Sequence, residues 1–167
     1  MINPTNKAEY ELVYKDEFSG GFVYLHPNQN KLEKAHNQFV GVYLAKQGFK
    51  IWLLPPSGQP NTKTADAWLE NENLVIEFKH CQTPTAAAID KAIQKAKKQA
   101  AYILLHIDCD IEVDKLIEGV ENRCQRPENQ ALIESVWLIW EGTLFRFTRN
   151  EINSKTWREH LKLNKAT

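Results

Sequence analysis

No segment of this sequence is long and apolar enough to cross a bilayer: the longest apolar runs, residues 100–105 and 136–140, fall far short of the roughly 20 residues a spanning helix needs. Residues 1–7 are polar and lack the apolar core of a secretory signal. The expectation is a soluble chain with no export signal of its own and no membrane partner, acting in the cytosol. Cysteine is scarce. Cys81, Cys109 and Cys124 are odd in number and show no C-x-x-C spacing, which argues against a disulfide framework and a zinc knuckle and points to a reducing compartment. Net charge is also missing, because 21 Lys and Arg balance 21 Asp and Glu. No global field draws in a nucleic acid or an acidic partner, so any such ligand must be held locally. There is no glycine-rich phosphate loop and no Gly-x-Ser-x-Gly elbow. The histidines His26, His36, His80, His106 and His160 show neither H-x-x-x-H nor H-E-x-x-H spacing, so zinc is not expected. The acids Asp108, Asp110, Glu112 and Asp114 alternate as in a calcium loop, but Val113 and Gly119 stand where such a loop needs glycine and a last carboxylate.

What is present is a chain of 167 residues with 43% apolar side chains, enough to close a core as one domain over 1–167. Leu32, Ala35, Phe39, Val42, Tyr43 and Leu44 recur near helical spacing and predict a helix over 31–47, stopped by Gly48. A strand follows over 49–54, then a polar loop over 57–63. Segments 65–70 and 73–80 read as a hairpin turning at Asn71-Glu72. Segment 85–100 reads as an amphipathic helix with Ile89, Ile93 and Ala96 on its apolar stripe. A strand over 102–107, a helix over 113–123, strands over 135–140 and 143–148 and a helix over 155–163 complete the pattern, with 22–26 as a further edge strand. The alternation predicts an α/β fold with a mixed central sheet flanked by helices. Trp137, Trp140 and Phe145 are expected in the sheet core rather than on a base-stacking platform.

The hairpin carries the chemistry. A tip at Asn71-Glu72 pairs 69 with 74, 68 with 75, 67 with 76 and 66 with 77, so Asp66 lands opposite Glu77. Opposed Cβ atoms lie about 4.5–5.5 Å apart, where two like charges repel unless they share a cation. Mg²⁺ or Mn²⁺ suits such a pair, and the carbonyl of Phe78 offers a third oxygen ligand. Lys79 shares the face of Glu77 and stands ready to orient or deprotonate a water, or to neutralise a phosphate. This is the machinery of phosphodiester hydrolysis. The alternative is a cross-strand salt bridge on a solvated face. Five lysines against one aspartate between Lys79 and Lys98 leave a local positive excess, with Lys91, Lys95 and Lys98 on one face of the second helix. These would hold a phosphate backbone, or form an ordinary solvated helix face.

The pattern Asp66-(10 residues)-Glu77-Phe78-Lys79, in the order helix, three strands, helix, strand, resembles the PD-(D/E)XK nuclease superfamily. The resemblance implies a restriction-endonuclease-like αβββαβ core. Over roughly 20–124 the likeness narrows. The run from Leu44-Ala45-Lys46-Gln47-Gly48-Phe49 to Leu54-Pro55, then Thr64-Ala65-Asp66-Ala67, Glu77-Phe78-Lys79 and Lys97-Lys98-Gln99-Ala100, resembles the C-terminal nuclease domains of bacterial contact-dependent growth inhibition toxins, which have relatives in phage and mobile elements. Residues 125–167 would then add C-terminal strands and a helix. The resemblance implies cleavage of RNA, commonly tRNA, with a divalent metal, and restraint by an immunity protein. It makes Asp66 and Glu77 metal ligands and Lys79 the catalytic lysine, with Gln99 a substrate or site contact. Ala65 replaces the superfamily's proline, and Gln38 occupies the place where a helix Glu is common, which leaves Glu33 as the candidate helix acid. The competing readings are a non-catalytic interaction module on the same fold, a phage-type DNA nuclease, and a metal-free endoribonuclease using His36 or His80.

Overall fold

The hairpin turning at Asn71-Glu72 forms in the register the sequence dictates: Leu69 pairs with Leu74, Trp68 with Val75 and Ala67 with Ile76. The computed structural model describes residues 4–165. Within it the chain separates, between Phe78 and Lys79, into two compact units.

In the first unit, β1 (Glu11–Lys15) runs antiparallel to β2 (Phe22–Leu25), which is parallel to β3 (Lys50–Leu53). β4 (Ala67–Leu69) joins β3 and then β5 (Leu74–Cys81), both antiparallel. The parallel pair β2 and β3 requires a crossover, supplied by α1 (Lys34–Lys46). The helix buries Asn37, Val40, Gly41, Leu44 and Ala45, so of the expected stripe Leu44 is buried while Leu32, Ala35 and Phe39 are not. Leu32 and Phe39 are instead exposed. The helix begins at Lys34 rather than 31, after a turn over 31–33 in which the Asn30 side chain accepts from the Leu32 amide and its carbonyl from Glu33 and Lys34, as a helix N-cap does. Gly41 lies against Val23 and Ile51, so a side chain there would hold the helix off the sheet. On the other face Tyr24 stacks on Trp52 at 4.4 Å, and Tyr10, Trp52, Leu54 and Trp68 form a second apolar cluster.

In the second unit, β6 (Tyr102–Ile107) is parallel to β7 (Ser135–Trp140), and β8 (Thr143–Thr148) closes the set antiparallel to β7. Glu141 and Gly142 both have positive φ, the backbone that a two-residue hairpin turn requires. Trp137, Trp140 and Phe145 are buried, as expected of core. α2 (Ala86–Ala96) is capped by the Thr85 hydroxyl, which accepts from the Ala88 amide, and buries Ile89, Ile93 and Ala96 as predicted. It ends four residues before 100, since the Gln99 amide turns back to the Ala96 carbonyl. Lys98 and Gln99 therefore sit in a turn beyond the helix. α3 (Val113–Cys124) packs on α2 through Gly119, where a Cβ would fall 2.6 Å from the Ala86 carbonyl oxygen. α4 (Arg149–Asn153), not foreseen, is nucleated by a capping box between Thr148 and Glu151. α5 (Trp157–Lys165) begins two residues later than expected and is anchored by Glu121, which accepts from Trp157 and Arg158. Burial alone would raise the Glu121 carboxyl, but the hydrogen bonds from Arg158 and Trp157 outweigh it and hold it below the usual range.

The mixed α/β class thus holds within each unit. The order along the chain is α1, β3, β4, β5, α2, β6. Among the described residues no helix is long and apolar enough to cross a membrane. Burial pushes the Cys81 and Cys124 thiols up to about 12, and all three cysteines are free.

Candidate active site

Asp66 occupies the bend just before β4, and Glu77 sits near the centre of β5. β4 begins only at Ala67, so the strand ladder stops one residue short and side chains take over its hydrogen bonding. The Asp66 amide donates to Glu77 Oε1 at 3.2 Å, while the Phe78 amide donates to Asp66 Oδ2 at 2.9 Å. Each carboxylate is thereby fixed by backbone belonging to the partner strand. Glu77 is 1% exposed, whereas Asp66 is half-buried. A carboxylate buried to that degree costs several kcal/mol unless dipoles or cations compensate it. The freely hydrated surface salt bridge is excluded by this burial.

Asp66 is held from a third side. Asn37 Nδ2 donates to Asp66 Oδ1 at 3.1 Å and reaches Gln29 Oε1 at 3.3 Å, and Gln29 Nε2 donates to the Leu54 carbonyl at 2.5 Å. Asn37 and Gln29 are buried at 3% and 6% exposure. This chain ties α1 and the end of β3 to the acid pair, and the sequence pattern did not reveal it. The available signal was Asn37 itself, a polar residue at helical spacing from Val40, Gly41 and Leu44.

Glu33 stands at the N-cap of α1, exposed, one turn before Asn37 and without a side-chain cap bond. Asn37, not Glu33, is the helix residue in contact with Asp66. Lys79 follows Glu77 by two residues in β5 and is half-buried, so the strand's two-residue period puts it on the Glu77 face. Lys95 is exposed on α2, Lys98 is exposed in the turn beyond it, and Gln99 is half-buried there. The structure therefore brings together Asp66, Glu77 and the Phe78 backbone, with Asn37 and Gln29 behind them.

In the second unit His80 is exposed, with Nε2 2.7 Å from Asp108 Oδ2. Its ring stacks on His106 at 5.2 Å. Burial, with the adjacent His80, pushes His106 below the ordinary histidine range, and Asp108 offsets part of that shift.

Residues 63–144 match the family model described as "Contact-dependent growth inhibition CdiA C-terminal domain". The matched span contains Asp66, Glu77, Lys79 and Lys95. Among solved structures, the chain is similar to one in the CdiA-CT/CdiI toxin and immunity complex from Burkholderia pseudomallei, with 16% identity and a TM-score of 0.52. That likeness covers 73% of this chain and 91% of the other, and at such identity it is a likeness of fold. A comparison with curated proteins finds no match.

Proposed function

We propose that this chain, similar over residues 63–144 to CdiA C-terminal domains, is a toxin-like, metal-dependent endonuclease of the PD-(D/E)XK type that cuts RNA, with tRNA the leading substrate. The observation that carries the reading is the reciprocal clamp between Asp66 and the 1% exposed Glu77, which brings two acids together across the hairpin.

The donor set fits a hard divalent cation. It is made of oxygens alone, and Asp66 accepts one amide on each oxygen, two of the roughly four acceptor positions a carboxylate offers. Asp66, Glu77 and the Phe78 carbonyl would hold Mg²⁺ or Mn²⁺. Such an ion supplies Lewis-acid polarisation of the phosphoryl group and a more acidic water. The protein's own residues do the rest. Asn37 and Gln29 fix the Asp66 carboxylate, so that its orientation survives substrate entry. Lys79 would place an ammonium along the strand from Glu77, where it neutralises charge developing on the phosphoryl oxygens or orients the attacking water. Glu33 supplies a further carboxylate at the start of α1. Lys95, Lys98 and Gln99 hold the strand backbone and its sugars. The protein would act in a bacterial cytosol. An immunity protein is the partner proposed by similarity to the toxin and immunity complex.

The test is incubation of the purified protein with total tRNA and, separately, with plasmid DNA. Cleavage of tRNA in Mg²⁺, its loss in excess chelator and its return on adding Mg²⁺ are expected. Cleavage unaffected by chelator overturns the metal reading and favours a metal-free mechanism through His80, whose 2.7 Å bond to Asp108 is the orienting contact such a base needs.

A further inference from the structure

We propose that a cationic pocket on α2 and the end of β5, wholly within the second unit, is a binding site for a backbone phosphate of a nucleic acid strand. The proposal rests on the nuclease reading for the identity of its ligand.

The pocket has a volume of about 270 Å³. Lys79, Lys91 and Lys95 stand on its rim with Gln82 and Thr83, and no carboxylate lines it. Its shape follows from helical spacing. Ala88, Lys91, Ala92 and Lys95 recur at i, i+3, i+4 and i+7 and share one face of α2, beside the buried stripe of Ile89, Ile93 and Ala96. The two alanines leave a gap between the lysine stems, and Cys81 and Ala92 floor it as part of the core cluster.

The helix lysines keep their charge uncompensated for an identifiable reason. Asp90 is the one acid of α2, and it turns away to Arg123 at 2.5 Å and Arg126 at 4.0 Å. Lys115 and Lys162 elsewhere in the unit are paired with Glu118 and Asp114. Lys91 and Lys95 enter no ion pair among the described residues. His80, also at the pocket, is engaged by Asp108.

The ligand class follows from what lines the site. Ammonium, amide and hydroxyl donors converge on a space just under the roughly 300 Å³ at which whole drug-sized ligands begin to fit. No Phe, Tyr or Trp lines it to stack a base. A phosphate with part of its sugar matches both facts.

The test measures binding apart from cleavage. A fluorescein-labelled oligouridylate and the matching oligodeoxythymidylate are titrated by anisotropy at several salt concentrations, in the Glu77→Gln background. The double variant Lys91→Ala/Lys95→Ala is expected to weaken binding about tenfold and to reduce the salt slope by about 1.4, two phosphate contacts on a single strand. Lys115→Ala/Lys162→Ala removes equal charge and is expected to stay within about twofold of the parent. A loss on both oligonucleotides assigns the site to phosphate alone, and a loss on the RNA alone adds the ribose hydroxyl to it. Equal affinity in the pocket variant, a loss no larger than in the charge-matched control, or no binding of either probe to the parent overturns the proposal. A chain that binds through these lysines but cuts neither tRNA nor plasmid keeps the pocket and refutes the nuclease reading.

Discussion

Replacing Glu77 with Gln is expected to lower cleavage by about a thousandfold or more while the protein stays folded. The substitution keeps the shape and the Oε1 acceptor for the Asp66 amide, so that hydrogen bond across the hairpin is retained. What it removes is a formal charge at 1% exposure, whose burial is a cost to the folded state. Unfolding temperature should therefore stay within a few degrees of the parent. Changes behind a metal ligand typically cost 10–100-fold, and loss of a ligand itself costs more. The two readouts separate the explanations, because a merely structural carboxylate would lower the unfolding temperature and leave the rate alone. Initial rates on tRNA and a thermal melt of the same preparation decide between them.

Replacing Gly21 with Ala is expected to have the largest effect on stability. A Cβ there would lie 1.9 Å from the carbonyl oxygen of Ala45 and 2.8 Å from its Cα, backbone that cannot swing aside. The contact is held from both ends. Ser19 Oγ donates to the Ala45 carbonyl at 2.7 Å and accepts from the Gly21 amide at 3.1 Å, while the Gly21 carbonyl accepts from Asp16. The turn between β1 and β2 is clipped in this way to the C-terminal end of α1. An added methyl must pry the two apart, at about 3–5 kcal/mol, or a fall of roughly 10 °C in Tm for a chain of this size. Because α1 carries Asn37, cleavage should fall with it. Gly20 is the control: its φ is +79° but a methyl there would meet nothing within 4 Å, so Gly20→Ala should cost only about 1 kcal/mol.

The hairpin and its acid pair were legible because few constraints set them. A side-chain period of two and a turn at Asn71-Glu72 fix the register, and the register fixes which acids meet. The same reasoning failed wherever tertiary contacts decided. β1 was missed because four of its five residues are exposed and carry no alternating apolar signal. The regular helix of α1 starts only after a capped turn at Asn30, three residues beyond the expected start. Its buried stripe moved because the sheet accepts Gly41 and Asn37 where periodicity had favoured Leu32 and Phe39. The Gln29 and Asn37 links to Asp66 span distant parts of the chain, so spacing alone could not find them. The helix over 85–100 ended early because α2 closes into a turn after Ala96.

The central claim is that Asp66 and Glu77 together hold a divalent cation. Calorimetric titration of Mn²⁺ into the wild type, Asp66→Asn and Glu77→Gln tests it without any substrate. The account predicts saturable binding to the wild type and a loss of at least about a hundredfold in affinity in each variant. Wild-type affinity retained in both variants, or no binding to the wild type, would contradict it.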